Sequence, residues 1–323
     1  MPLSDVIGQE RAKRVLLGLM NTGRLATAYL FSGEKGIGKF KAAVEMAKAL
    51  NCESVEEEDG CGHCSSCRKV DAMQHPDITV VSPEGRLISV EQVRSIEEFL
   101  SFTPYEGRKK VVIVDDADSM NRQAENAFLK TLEEPPADSI IILVSSRSES
   151  LADTVRSRCL RVRFNTLSEN ELRNVAVSAD LEVDDAKLRF AMGRVGRLLD
   201  DEALAKRDEA LDVFIDMLKG IEVTAPKERE TIDEILDHFI LFVRDMAVSA
   251  CSGEDAPLIN PDLPSDVLKL GKEIDIKVII DIYEELMNLR KRTAFNLNKS
   301  IVFNYMSVLV GSIRQRKEKD SAR

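Results

Sequence analysis

The chain has 323 residues, 44% of them hydrophobic and 31% charged, which is enough to bury a real core and to form two or three domains. No run of about 18 uncharged apolar residues occurs, and the opening "MPLSDVIGQERAK" lacks the apolar core of a secretory signal, so the expected location is the cytoplasm, away from membranes. Forty-five basic against fifty-six acidic residues give a net charge of -11, so the surface as a whole repels nucleic acid and meets it only through a local basic patch.

In chain order, the first helical pattern is "GQERAKRVLLGLMNTG", closed by Gly23. The apolar "AYLFS" reads as a short buried strand that feeds directly into "GEKGIGKF", from Gly33 to Phe40, and "KAAVEMAKAL" resumes helical spacing. Strand, glycine-rich turn and helix in that order are the context a phosphate loop requires. In a loop of the type GxxxxGK[ST], backbone N-H groups and the lysine hold phosphates while the hydroxyl after the lysine coordinates Mg²⁺. Gly33, Gly36, Gly38 and Lys39 are therefore the candidate nucleotide-binding residues, and Phe40 stands where the hydroxyl belongs. The expectation is a loop that grips phosphate weakly and handles Mg²⁺-ATP poorly.

The next segment, "NCESVEEEDGCGHCSSC", gathers Cys52, Cys61, Cys64 and Cys67, whereas Cys159 and Cys251 stand alone. Two CxxC steps sharing Cys64 can wrap three thiolates around one ion, and Cys52 can return as the fourth across a loop that the acidic run "EEED" keeps solvated. Four sulfurs suit a structural, tetrahedral zinc and leave no open position for catalysis. A reducing cytoplasm argues against a disulfide pair here. His63, inside the CGHC turn, is a possible competing ligand but is expected to be exposed.

"KKVVIVDDADSM" is a second buried strand with acids at its carboxyl end, followed by the helix "NRQAENAFLKTLEE", which must stop before Pro135 and Pro136. "SIIILVSS" is a third strand and "CLRVRF" a fourth. Strands alternating with helices imply an α/β fold with a parallel sheet, right-handed crossovers and a ligand at the carboxyl edge. Beyond about Asn165 helical periodicity takes over. Ser168 with Glu171 three residues on spells a capping box, and from about Arg207 long amphipathic helices surround "APLINPDLP". The tail "RQRKEKDSAR" is expected to fray. The domains expected are residues 1–165, an α/β core with the cysteine insert at 52–67, then a helical lid at 166–206 and an all-α domain at 207–323.

Several motifs together resemble the clamp-loader AAA+ proteins of bacterial DNA polymerase III: "AYLFSGEKGIGK", the four-cysteine insert after the loop's helix, "NAFLKTLEEPP", "SRC", and "NLNKS" at Asn296 to Ser300. The resemblance spans the chain. It implies an AAA+ P-loop module with a small helical lid and a helical collar, in a five-membered ring that assembles gamma/tau and delta subunits to load the sliding clamp on primed DNA. The short length and the eroded nucleotide motifs resemble the delta prime branch of the family rather than gamma or tau.

The resemblance assigns further roles. Asp115 and Asp116 occupy the places where active members carry Asp then Glu, the first holding Mg²⁺ and the second activating water; Asp116 is one methylene short, and a misplacement of roughly 1 Å can cost on the order of 100-fold in rate. Arg158 of "SRC" is the arginine that completes a neighbour's site in trans. Arg197 in "GRVGRLL" resembles the sensor-2 arginine, and Ser145 or Ser146 the sensor-1 residue. Together these imply a stator whose own ATPase is weak or absent. Two rivals remain: an active gamma-like ATPase, for which the retained Lys39 speaks, and a zinc-dependent nucleic-acid binder, against which the acidic insert without aromatic residues speaks.

Overall fold

The computed structural model describes residues 2–56, 59–252, 256–293 and 297–320. Asn296 of "NLNKS" lies outside them, as do Glu57 and Glu58 of the acidic run. The chain divides into two compact units, one of Met1–Leu181 with Gly193–Gly196, the other of Glu182–Met192 with Arg197–Arg323.

In the first unit the elements run α1 (Glu10–Asn21), β1 (Ala28–Ser32), α2 (Lys39–Asn51), a small hairpin of β2 (Val55–Glu56) and β3 (Asp59–Gly60), α3 (Ser65–Asp71), β4 (Ile78–Val81), α4 (Val90–Ser101), β5 (Lys110–Val114), α5 (Arg122–Glu133), β6 (Ser139–Ser145), α6 (Asp153–Arg156), β7 (Leu160–Arg163) and α7 (Glu169–Ser178). Among the described residues, five strands form one parallel sheet in the order β4-β5-β6-β1-β7. Its three inner strands are buried along their whole length, which is why "AYLFS", "KVVIV" and "SIIILVS" read as continuous apolar runs rather than alternating ones. Tyr29, Phe31, Ile113 and Ile142 pack on one face with Leu16 of α1 and Met46 of α2; Leu30, Val112, Val114 and Leu143 pack on the other with Ile96 of α4 and Phe128 of α5. With β1 flanked by β6 and β7, the glycine loop after β1 and the acids after β5 emerge at the same carboxyl edge.

The four strands and the α5 stop before Pro135 appear as expected. So does the α7 capping box, in which Ser168 Oγ accepts from the Glu171 amide and Glu171 accepts from the Ser168 amide at 2.7 Å. Besides the short β2–β3 hairpin, α3 and α6, two further elements lie outside the sequence reading. The short edge strand β4 offers only "ITVV", and α4 is announced by a second capping box in which the Ser89 amide donates to Gln92 Oε1 at 3.0 Å.

The second unit is helical: α8 (Asp185–Ala191), α9 (Val195–Leu199, whose first turn groups with the first unit), α10 (Ala203–Lys219), α11 (Arg229–Ser252), α12 (Ser265–Glu273), α13 (Ile276–Thr293) and α14 (Lys299–Asp320). Phe214, Phe239, Phe242, Leu286, Phe303 and Met306 form its core. Of the tail expected to fray, residues 314–320 continue the last turns of α14, and residues 321–323 lie outside the described residues.

Candidate functional site

The site begins where β1 hands the chain to the glycine loop. Gly36 and Gly38 hold φ of 79° and 93°, a region that costs glycine little and other residues more. Gly33 is fixed by crowding, since a Cβ there would lie 2.5 Å from the Phe164 carbonyl oxygen. These three glycines let the loop turn tightly into α2.

The loop is closed on itself. Lys39 is 5% exposed and its ammonium donates to the carbonyl oxygens of Gly33 at 2.8 Å and Glu34 at 2.5 Å. Burial lowers its pKa below the ordinary lysine value, against the pull of Asp116, Asp115 and Asp118. The segment Gly193–Gly196 lies across the same loop as a strap: the Gly196 amide donates to the Gly36 carbonyl at 2.8 Å, and Arg194 places two nitrogens on Glu34 Oε2 at 3.0 and 2.7 Å. A Cβ on Gly196 would meet the Gly36 Cα at 3.2 Å. Gln9, held at φ 60°, braces the loop from α1: its amide nitrogen donates to the Ile37 carbonyl at 3.2 Å and the Asn165 carbonyl at 2.6 Å, while its oxygen accepts from the Asn165 amide at 3.0 Å. Phe40 packs half-buried against the core shared by Phe31 and Met46, so the position that would offer a metal ligand serves packing instead.

The acids at the end of β5 face this loop. Burial, with the charge of Asp116 beside it, raises the Asp115 carboxyl above its usual value. Asp116 adopts φ 44°, its amide donates to Asp115 Oδ1 at 3.0 Å, and Lys35 approaches its carboxylate at 3.8 Å. Asp118, two residues further on, is the organising acid. Its side chain is 3% exposed and accepts from Ser145 Oγ at 2.7 Å, the Ser146 amide at 3.0 Å and Arg147 Nε at 3.1 Å. Against the desolvation of burial, these bonds hold its carboxyl below the usual range. Of the two candidate serines, Ser145 thus has its hydroxyl committed to Asp118 and Ser146 only its amide.

Arg158 follows α6 on the surface. Its guanidinium donates to the Thr154 carbonyl at 2.8 Å and pairs with Glu133, the first glutamate of "EEPP". Arg197 belongs to the second unit, where its guanidinium lies 5.3 Å from the centre of the Phe190 ring. The structure therefore gathers Gly33, Gly36, Gly38, Lys39, Asp115 and Asp116 in one place within the first unit, while Arg158 is held by a different pair of residues. Spacing alone did not single out Gln9, Glu34 or Arg194, whose partners are 28 to 160 positions away.

The four cysteines form a separate centre. Cys52, Cys61, Cys64 and Cys67 place their sulfurs all within 4.8 Å of one another, with Cys52 to Cys64 and Cys61 to Cys67 both at 3.9 Å. A tetrahedron of thiolates at the usual zinc distance has sulfur-to-sulfur edges of about 3.8 Å, so the donor set fits zinc in number, type and spacing. The amides of Cys61, Cys64 and Cys67 donate to the sulfurs of Cys52, Cys61 and Cys64 at 3.3, 3.3 and 3.4 Å, which orients each thiolate inward. His63 is exposed and turns Nδ1 to the Cys61 carbonyl, as expected of a non-ligand. One expectation fails. Asp59, the last of the acidic run, is 6% exposed and accepts from the Leu3 and Ser4 amides at 2.9 and 2.7 Å, because the hairpin folds it inward as the anchor of the amino-terminal turn.

A parallel sheet of this order, with the glycine loop and paired acids at one edge and a helical region beyond, defines an AAA+ P-loop protein. The comparisons with known proteins narrow this. A family described as "DNA polymerase III, delta subunit" matches residues 8–168. The delta' subunit of DNA polymerase III from Bacillus subtilis is 29% identical over 92% of this chain and 87% of its own length. The tau subunit from Salmonella typhimurium is 36% identical over 53% of this chain, which spans only 26% of tau. A solved gamma-subunit-related protein from Thermotoga maritima covers 94% of this chain and 99% of its own at 18% identity and a TM-score of 0.49. The chain is similar over most of its length to a delta' subunit, and over its first half to other clamp-loader subunits, of DNA polymerase III. No helix among the described residues is long and apolar enough to cross a membrane.

Proposed function

We propose that this chain is the stator of a clamp loader: it keeps the AAA+ shape, binds nucleotide weakly or not at all, and lends Arg158 in trans to the ATPase beside it. One contrast carries this reading. The Lys39 ammonium is taken up by its own loop's carbonyls under the Gly193–Gly196 strap while Phe40 packs into the core, yet Arg158 sits on the surface. A phosphate entering the loop must displace both the lysine's present partners and the strap, and finds no hydroxyl to share its Mg²⁺. A guanidinium offered to a neighbour's transferring phosphoryl needs none of that machinery.

In this reading the partners are gamma/tau and delta subunits in a pentameric ring, with the sliding clamp and primer-template DNA met through the complex. Cys52, Cys61, Cys64 and Cys67 hold a structural zinc that stiffens the first unit, Arg197 is the sensor-2 arginine, and the three-part division at residues 166 and 207 marks core, lid and collar. When bound, zinc supplies a cross-link between four thiolates and no reactive position.

The test is Arg158→Ala in a loader reconstituted with gamma/tau and delta. Turnover at the adjacent site should fall on the order of 100-fold or more while the complex still elutes intact. Unchanged turnover refutes the trans role. The second reading, a gamma-like ATPase, is favoured by the retained Lys39; it requires the isolated chain to hydrolyse ATP and Lys39→Ala to abolish that activity.

A further inference from the structure

The sheet ends on β7, and this edge has properties the stator reading does not use. Among the described residues, strand β7 pairs only with β1. The Phe164 amide donates to the Ser32 carbonyl at 2.8 Å, and in a parallel pair that phase turns the N-H and C=O groups of Arg161 and Arg163 to the outer edge. Beside the edge lies a groove of about 340 Å³ lined by Arg11, Ala12 and Val15 of α1 and by Arg161, Val162 and Arg163 of β7. Val15 is 41% exposed, and Leu160, at the start of the strand, is 39% exposed.

The charges here are uneven in a chain whose net charge is -11. Arg161 is committed to Ser32, Ser148 and Glu149. Among the described residues Arg11 and Arg163 are exposed and have no carboxylate partner. An exposed edge with free backbone groups, an apolar strip and two uncompensated guanidinia is a template for a strand of opposite charge.

We propose that β7 is a docking edge for an extended acidic peptide of a partner protein, which adds as a sixth strand with carboxylates at alternate positions and apolar side chains between them. Residues two apart in a strand are about 6.6 Å apart on one face, so alternate carboxylates reach the side of the strand where Arg161 and Arg163 recur, while the intervening side chains cover Val15 and Leu160. The outward C=O groups favour a peptide over a phosphodiester chain, since they accept hydrogen bonds from amides and repel phosphate oxygens. The arginines that discourage pairing with neutral or basic edges select the acidic one.

The probe is a fluorescein-labelled ten-residue peptide of alternating glutamate and valine, titrated into the full chain at low salt and followed by anisotropy. Saturable binding is expected, weakened about tenfold by Arg163→Glu and about threefold or more by Arg11→Glu, both variants melting as the parent does. The same peptide N-methylated at alternate amides should bind at least about fivefold more weakly, which reports strand pairing rather than charge alone. Absence of binding, indifference to both substitutions, or equal binding of the N-methylated peptide each overturn the proposal. Displacement of the peptide by a single-stranded oligothymidylate that itself binds tighter and depends on Arg163 overturns it in favour of nucleic acid.

Discussion

Arg194 places Nε and Nη2 on the same carboxylate oxygen of Glu34, tying a segment 160 residues away in sequence onto the loop that would hold phosphate. The pair is half-exposed, so it is worth a few tenths to about 1 kcal/mol. In the stator reading the strap and a phosphate compete for one place, so releasing the pair should favour ligand binding by a similar amount. Arg194→Ala should raise the affinity of the isolated chain for a fluorescent ATP analogue about twofold to fivefold at an unchanged melting temperature. Gly196→Ala, whose new Cβ presses on Gly36, should act in the same direction. If both variants bind the analogue no better than the parent, the strap does not control the loop.

Glycine at position 33 follows from crowding rather than from a motif. Gly33→Ala would drive a methyl to within 2.5 Å of the Phe164 carbonyl, and backbone cannot move aside cheaply. A loss of about 2 kcal/mol or more is expected in urea unfolding. A loss below about 0.5 kcal/mol would mean that the loop is not seated against Phe164 in solution.

The cysteine centre and the amino terminus are joined through Asp59. Cys64→Ser should release zinc, read by elemental analysis, and lower the stability of the first unit by several kcal/mol, on the order expected when a structural site is opened. Asp59→Ala makes a finer cut: zinc stays, but the Leu3 and Ser4 amides lose a buried carboxylate acceptor, at a cost of about 1 to 3 kcal/mol. Zinc content unaffected by Cys64→Ser would remove the metal assignment altogether.

In the second unit His238 is buried and stacked between Phe190 and Phe242, with ring centres 5.8 and 6.2 Å away. Burial, and then the charge of Arg197, pushes its pKa down to about 4 from the usual 6.5. The native protein therefore refuses a proton that the unfolded chain accepts. Stability is full above pH 6.5, falls as the pH drops toward about 4, and loses no more from this group below that. The loss is about 3 kcal/mol. His238→Phe should flatten that part of the pH profile in urea titrations; an unaltered slope would assign the acid sensitivity to other groups.

The architecture was legible wherever local chemistry repeats: the three inner strands as unbroken apolar runs, the glycine turn between strand and helix, the capping serine of α7, and the proline pair that ends α5. The cysteine spacing likewise announced four converging sulfurs, since two CxxC steps leave few other arrangements. Strand β4 escaped although its four residues are all β-branched, because so short a run has no alternation to read, and Asp59 was misread because a run of acids looks solvated until a hairpin turns one of them inward.

The sequence by itself determined what each motif contains, including the lost hydroxyl at Phe40 and the shortened acid at Asp116, because covalent identity is all that a missing ligand requires. Only the tertiary structure decided where those groups point. Lys39 spends its donors on its own loop, Arg194 reaches back to Glu34, Asp118 gathers Ser145 and Arg147, and Arg158 is left at the surface. Hydrogen bonds and ion pairs act over about 3 Å, while apart from the local bonds of Lys39 these side-chain partners lie 25 to 160 positions apart, so the fold alone could choose them.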